Sequence, residues 1–436
     1  MPEAMLLAQL VFSAWLSAGA TPAANVVQAP APPETRADDS ARRRATNTRA
    51  DAPRSRGEES FLLRAEKAER LKPYVPGKVE RALLIFERER VIERLLSPTR
   101  GFFPKVGHVT PGSSLSFGAG YRDQLPLGRK VEVSAFILGS PKGYWRMDAQ
   151  LALRELAGGL ASLDLYGQRY EWSQESFYGV GPGSAKSAHS NYRLHNTIAG
   201  AKLGLRVSPT LTFGGRVERM LPRVGRGGSN RLPTVRTLFE PAVLPELESR
   251  LDFNRYEVGA DLDYREPRGN PKSGGRYRVG YSFFHSGGES MFDFRRLHMD
   301  LQQYLPFLQG KRVIALRALV SLSDPGTGGD VPFYLMPTLG GPDDLRGYRR
   351  HRFRDRNLAL LQAEYRWEIL AALDAALFVE AGQVASRARD FRVDRFETDY
   401  GIGLRFGTVQ GVFLRIEGAF GSSDGSRLIV SLGNVF

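Results

Sequence analysis

The feature that most constrains this chain is a two-residue alternation of apolar and polar side chains, which runs from about residue 101 to the last residue. In one segment the apolar residues are Val412, Leu414 and Ile416, and the residues between them are Phe413, Arg415 and Glu417. Successive side chains of a β-strand point to opposite faces, so this period predicts strands and not helices. The sequence therefore predicts an all-β fold for residues 101–436.

The alternation is compatible with two architectures, a soluble sandwich and a membrane barrel. The apolar face packs into a core in the sandwich, whereas it faces lipid in the barrel. The segments are about 9–12 residues long, close to the length at which a tilted strand crosses a bilayer. Aromatic residues stand near strand ends, where membrane girdles occur; they include Tyr256, Tyr264, Tyr365 and Trp367. These features favour the barrel.

The strand count is also typical of a membrane barrel. Fifteen strands are predicted at 113–121, 130–138, 144–154, 159–171, 190–207, 209–220, 250–265, 275–285, 293–305, 311–323, 355–369, 374–384, 398–407, 411–420 and 427–436, and residues 101–110 supply a sixteenth. Barrels of this kind usually have an even number of strands, with short turns at one end and long loops at the other. We therefore predict a transmembrane antiparallel β-barrel of about 16 strands spanning 101–436.

The residues ahead of the alternation divide into three predicted segments. Residues 1–20 contain MLLAQLVFSAWLSAGA, which predicts a secretory signal peptide, although no Lys or Arg precedes it. A buried helix is the alternative. Residues 21–57 are rich in Arg and poor in apolar residues, which predicts a disordered arm. Residues 58–100 are amphipathic, too charged to span lipid and broken by Pro, which predicts a short helical periplasmic segment.

A long irregular segment separates the predicted strands 311–323 and 355–369. A connection of this length is uncommon in a compact domain unless it has a function. Its centre reads Gly340-Gly341-Pro342-Asp343-Asp344-Leu345-Arg346-Gly347-Tyr348. This stretch has turn chemistry and neither the helical nor the strand period. We interpret it as a long loop with a functional tip.

These residues resemble the BamA/TamA outer-membrane assembly superfamily, also known as the bacterial surface antigen family. The loop motif of that family, Gly-Gly followed by Arg-Gly-aromatic, is matched by Gly340, Gly341, Arg346, Gly347 and Tyr348. Residues 353–369 and 377–384 resemble the two strands after the loop, although the family usually has Asp where Glu380 stands. The last residue, Phe436, resembles a terminal barrel signal. Residues 25–100 lack the alternating strands of the family's periplasmic modules, so the chain resembles a member without them.

The resemblance implies that the loop folds into the barrel lumen, where its Arg meets acidic residues of the inner wall. Strand parity places Glu364 and Glu380 on the lumenal face of the two strands that follow the loop. A planar guanidinium is well suited to carboxylates, so both are predicted partners of Arg346. The alternative is that Arg346 is an ordinary solvated loop arginine.

The implied function is insertion or translocation of protein or lipid at the outer membrane of a Gram-negative bacterium, through a weak seam between the first and last strands. A passive pore, a surface receptor or a membrane anchor is the alternative. Expected partners are outer-membrane lipids including lipopolysaccharide, and the further candidates are client membrane proteins or a periplasmic partner. No nucleic-acid partner is expected.

Enzyme chemistry is not expected. The six histidines lack metal-ligand spacing, and no G-x-S-x-G nucleophile motif occurs. A barrel lipase is the enzyme alternative. The sequence contains no cysteine, which excludes a disulfide framework and thiol chemistry. We expect no catalytic residue, no metal and no cofactor.

Overall fold

A computed structural model of the chain describes residues 81, 100–126, 130–240, 244–247, 250–288, 290–370, 372–408 and 411–436. The described residues from 100 onward belong to one unit of the chain, and residue 81 belongs to the other. The predicted signal peptide at 1–20, the arm at 21–57 and all but residues 81 and 100 of the helical segment at 58–100 lie outside the described residues. Within the described part of the chain there is no helix with the length and apolarity needed to cross a membrane.

One antiparallel sheet contains 17 of the 19 described strands, and most of its strands pair with the sheet strands that precede and follow them along the chain. Its members are β1(Gly101–Gly107), β2(Ser116–Pro126), β3(Lys130–Gly139), β4(Trp145–Leu156), β5(Ala161–Phe177), β6(Ser190–Arg206), β7(Leu211–Met220), β8(Arg223–Arg226), β9(Phe253–Asp263), β10(Gly274–Ser286), β11(Phe294–Phe307), β12(Arg312–Asp324), β15(Asn357–Leu370), β16(Leu373–Ala385), β17(Glu397–Thr408), β18(Gly411–Phe420) and β19(Arg427–Ser431). A separate hairpin pairs β13(Thr338–Leu339) with β14(Phe353–Arg354). The predicted all-β barrel architecture is confirmed.

Strands β7 and β8 occupy one position in the sheet, because both pair with β6. Leu221 and Pro222 separate them, and proline cannot donate a ladder hydrogen bond. Counted as one interrupted strand, they bring the sheet to the predicted sixteen positions. For most of the other predicted strands, the first and last residues agree with the structure to within a few positions. Residues 101–110 do supply a first strand.

Short helical turns occur in the connections. The described α-helical turn is Val235–Leu238, and the described 3₁₀ turns are Ala157–Gly159, Lys186–Ala188, Pro245–Leu247, Ser290–Phe292, Phe333–Leu335, Ala388–Asp390 and Val393–Arg395. Most of them lie in the connections after β5, β8, β10, β12 and β16, and all of these except the connection after β10 are longer than every turn at the opposite ends of the strands. We call these two ends of the sheet the long-loop end and the short-turn end.

The faces of the sheet have the polarity of a membrane barrel. On β17, the apolar Ile402 and Leu404 are 51% and 39% exposed, whereas the charged Asp399 and Arg405 are each 1% exposed. A soluble sandwich would have the reverse arrangement, with its apolar rows in the core. Apolar side chains therefore cover the outside of the sheet, and charged side chains fill its inside.

The two edge strands of the sheet are short, since β1 has 7 residues and β19 has 5. β1 pairs with β2 and β19 pairs with β18, but no pairing joins β1 to β19 among the described residues. The prediction that the last strand continues to residue 436 is wrong, because β19 ends at Ser431. Gly433 then adopts a φ of +86°, a left-handed conformation that suits glycine, and the chain leaves the sheet.

Candidate functional site

The long loop between β12 and β15 enters the inside of the sheet. The β13–β14 hairpin closes its base, and residues 340–352 form its tip. Gly340 and Gly341 have φ values of +100° and +130°, which L side chains rarely adopt. A Cβ atom on Gly340 would also lie 2.3 Å from the backbone oxygen of Arg349. The two glycines therefore allow the tight turn with which the tip begins.

Arg346 is the centre of the tip and is completely buried. Its Nε donates to Glu380 Oε1 at 2.9 Å, and its backbone N–H donates to Glu380 Oε2 at 2.7 Å. Its Nη2 lies 2.8 Å from Glu364 Oε1, and its Nη1 donates to Glu417 Oε1 at 2.8 Å. The guanidinium also lies 3.4 Å from the centre of the Phe378 ring. The structure thus brings Arg346 together with Glu364 and Glu380, the two acids chosen from strand parity.

Further charged side chains surround this cluster. Glu364 is also 2.7 Å from Arg366 Nη2 and 2.6 Å from Arg405 Nη2. Glu417 accepts from Arg415 Nη1 at 2.8 Å, and Arg415 Nη2 lies 2.7 Å from Asp343 Oδ1. The cluster, which we call the lumenal charge network, consists of four arginines and four carboxylates: Arg346, Arg366, Arg405, Arg415, Asp343, Glu364, Glu380 and Glu417. The formal charges of these eight groups balance.

The sequence reasoning missed Glu417, Arg405 and Arg415 as members of this network. Strand parity carried a signal, because all three are polar residues on strands whose other face is apolar. The alternation along a strand assigns a side chain to the lumenal face, but it does not give the position of that side chain along the barrel axis. The contact of Glu417 with Arg346 depends on the register of β16, β17 and β18, which is a tertiary property.

The rest of the motif is fixed by neighbouring strands. Gly347 N–H donates to Asp399 Oδ2 at 2.8 Å, and the Gly347 carbonyl accepts from Ser422 Oγ at 2.7 Å. Tyr348 donates its hydroxyl to Glu397 Oε2 at 2.6 Å. A Cβ atom on Gly347 would lie 2.8 Å from the Asp399 Cβ, so the close approach requires glycine. Each of the five motif residues therefore has a structural role in seating the tip.

Phe436 lies inside the sheet and not at the end of a strand. It is buried beside Tyr304, Val313 and Ala315 on β11 and β12. The Arg366 guanidinium is 5.1 Å from the centre of its ring. The last residue therefore contacts a member of the lumenal charge network. Its role as a terminal barrel signal stays a prediction.

A large apolar cluster lies inside the sheet at the long-loop end. It joins wall residues such as Phe177 and Phe253 to Val235, Leu247 and Phe333 of the loops. Phe333 N–H donates to Glu246 Oε1 at 2.6 Å. Burial raises the pKa of the Glu246 carboxyl above its usual range, and the Phe333 hydrogen bond opposes that shift. The loops after β8 and β12 are thus packed together.

The part of the chain that contains the long loop and the lumenal charge network matches a known family. A family model described as the Omp85 superfamily domain matches residues 158–421, which is more than half of the chain. The chain belongs to the Omp85 superfamily. The match extends from the turn before β5 to the residue after β18 and includes the complete loop. The resemblance drawn from the loop motif is therefore confirmed.

Solved structures agree with the Omp85 fold. The chain is similar to BamA from Haemophilus ducreyi lacking POTRA domains 1-3, with a TM-score of 0.57 and 14% identity over 75% of this chain. It is also similar to CdiB from Escherichia coli, with a TM-score of 0.52 and 11% identity over 76% of this chain. The matches span 66% and 61% of those chains, respectively. No curated protein matches the sequence.

Proposed function

We propose that this Omp85 protein acts in the outer membrane of a Gram-negative bacterium, where it inserts or translocates protein or lipid without enzyme chemistry. The observation that carries the proposal is the seating of Arg346 by three carboxylates on β15, β16 and β18. This arrangement holds a loop inside the lumen beside a sheet in which, among the described residues, no pairing joins the first strand to the last. The seated loop leaves less room for the passive pore considered above.

The unpaired edges suggest how such a protein acts. Backbone N–H and C=O groups that face lipid without partners cost several kcal/mol each, so an open edge attracts another strand. The short β1 and β19 present such edges, and an extended client segment can add to a sheet edge through main-chain hydrogen bonds. In this proposal the seam opens laterally and pairs transiently with the client.

The lumenal charge network links the loop to this seam. Glu417 binds Arg346 of the loop and Arg415 of the same strand. Arg415 Nε donates to the Gly433 carbonyl at 2.7 Å, at the turn where the chain leaves the last strand. A movement of the loop would therefore change the support of the residues that follow β19.

A cysteine scan across the seam tests the proposal. The chain contains no cysteine, so pairs with one residue in Gly101–Gly107 and one in Arg427–Ser431 form new disulfides without competition. We expect an oxidised pair to abolish complementation of a depleted strain, and reduction to restore it. Complementation is read from the outer-membrane protein and lipid profiles. Unchanged profiles after depletion, together with ion conductance by the purified protein, would favour a passive pore.

A further inference from the structure

A second lumenal region lies apart from the carboxylates that bind Arg346. A cavity of about 690 Å³ lies between strands β6 to β12 and the loop residues Pro337, Thr338 and Asp344. Its volume is in the range of small-molecule sites. The Arg346 contacts described above are on β15, β16 and β18, which leaves this cavity outside them.

The space is created by a row of glycines in the wall, because glycine has no side chain. Gly204, Gly214, Gly259 and Gly280 are opposite one another on β6, β7, β9 and β10 and form one row across the sheet. All four line the cavity. At Gly280 an added Cβ atom would have only an ordinary contact, 3.8 Å from Glu257 Oε1, so a side chain there would enter open space.

The cavity lining is strongly basic. Six cationic side chains line it, Lys202, Arg216, Arg255, Arg276, Arg278 and Arg296, against the three carboxylates Glu257, Asp261 and Asp344. Arg276 uses Asp261, with contacts of 3.0 and 2.6 Å. Arg255 pairs with Glu257 and with Glu218, which is buried in the wall beside it. Most of the local negative charge is therefore already engaged.

Two of the six cations lack a carboxylate partner among the described residues, and a third, Arg278, shares its carboxylate with Arg276. Lys202 and Arg296 have no carboxylate of the described residues within ion-pair distance, and Arg278 Nε is 3.7 Å from an Asp261 that Arg276 already binds. Arg296 is held in place by Ser323 Oγ at 2.9 Å and by the Leu335 carbonyl at 2.7 Å. Its position is thus fixed by neutral groups, which leave its positive charge uncompensated.

We propose that this cavity binds an anionic ligand with oxyanion groups, such as phosphate, through a basic wall to which Lys202, Arg278 and Arg296 contribute positive charge. Cationic side chains form charge-assisted hydrogen bonds with phosphate oxygens, and guanidinium groups do so with two donors at once. The bound group belongs either to a free phosphorylated small molecule or to a lipid headgroup. Because Thr338 and Asp344 line the same cavity, the ligand would contact the loop that carries the Arg346 motif.

Isothermal titration of the purified full-length protein in maltoside micelles tests the site. The probes are inorganic phosphate, glycerol 1-phosphate, and mixed micelles with phosphatidylglycerol or, as the uncharged lipid, diacylglycerol. We expect binding that Lys202→Gln and Arg296→Gln each weaken by about tenfold or more, because each removes a charge-assisted hydrogen bond. Gly280→Leu should abolish binding by filling the cavity while it keeps every charge.

Two matched controls use exposed cations outside the cavity. Lys311 lies in the β11–β12 turn and Arg231 lies in the loop after β8. The Lys311→Gln and Arg231→Gln variants should bind the probes as tightly as the wild type does. All variants must keep the wild-type mobility on semi-native gels. Binding of soluble phosphates identifies a free ligand, and binding of phosphatidylglycerol alone identifies a headgroup. The proposal would be overturned if the wild-type protein bound none of the probes. It would also be overturned if the Lys202, Arg296 and Gly280 variants all bound the probes as tightly as the wild type does.

Discussion

At the residue scale, Arg346 shows how one side chain can tie a loop to a wall. A buried guanidinium with five donors requires several acceptors, and three glutamates supply them here. Two of these, Glu364 and Glu380, could be predicted because side-chain direction on a strand is a local property. Glu417 could not be assigned to Arg346, because that contact depends on the register of β16, β17 and β18, which is a tertiary property.

Replacing Arg346 tests this arrangement directly. Arg346→Ala leaves the buried Glu380 without its arginine partner and removes one of the arginine partners of Glu364 and of Glu417. Breaking a buried pair costs about 3–5 kcal/mol. We expect a lower temperature of unfolding on semi-native gels, and a larger loss for Arg346→Glu. The combined Arg346→Glu, Glu380→Arg exchange should recover only part, since Glu364 and Glu417 would then face a carboxylate. Wild-type behaviour of Arg346→Glu would contradict the seating of the loop.

Gly347 provides a second test of how the loop tip is seated, because replacing it changes the size of the side chain and not its charge. In Gly347→Ala the added Cβ would lie 2.8 Å from Asp399 Cβ and 2.9 Å from Ser422 Cβ. Overpacking of this kind typically costs about 1–3 kcal/mol, so heat resistance should fall. Gly183→Ala is the matched control, because a Cβ there meets nothing within 4 Å. Equal stability of the two variants would show that the tip is not tightly seated.

At the scale of elements, the strands could be predicted because their period is local, whereas the end of the last strand could not. Leu428, Val430 and Leu432 continue the alternation past Ser431, and only Asn434 interrupts the apolar row before Phe436, so the pattern gives no stop at Ser431. The structure ends β19 at Ser431, where Gly433 turns the chain and Asn434 Nδ2 donates to the Gly269 carbonyl at 2.6 Å. Gly269 is remote in sequence from the last strand, so the alternation of that strand does not predict this contact.

Substituting Phe436 separates its two candidate roles. Phe436→Ala removes its packing on Tyr304 and Val313, and truncation of a buried Phe costs about 3–5 kcal/mol. We expect the purified, refolded variant to melt at a lower temperature in detergent. A normal melting temperature combined with a reduced amount in the cell would instead indicate that Phe436 acts only as an assembly signal. Leu428→Ala, on the exposed face of β19, is the control.

At the scale of the whole molecule, the exposed apolar outside and the charged inside require lipid around the sheet. We expect the mature protein in the outer-membrane fraction, with a β-rich circular dichroism spectrum. The unboiled protein should migrate differently from the boiled protein on semi-native gels, because the many strand pairings resist detergent until heated. A protein that is soluble without detergent and mainly helical would contradict the fold and its membrane placement.

The seat of the loop also sets an order of events in assembly. Arg346 precedes in the chain every carboxylate that binds it, and the most distant of them, Glu417, is on β18. A chain that is delivered from its amino end therefore presents the loop before its seat exists. The tip can lock only when the penultimate strand of the sheet is in register. The full set of carboxylates around Arg346 is therefore present only when the barrel is almost complete.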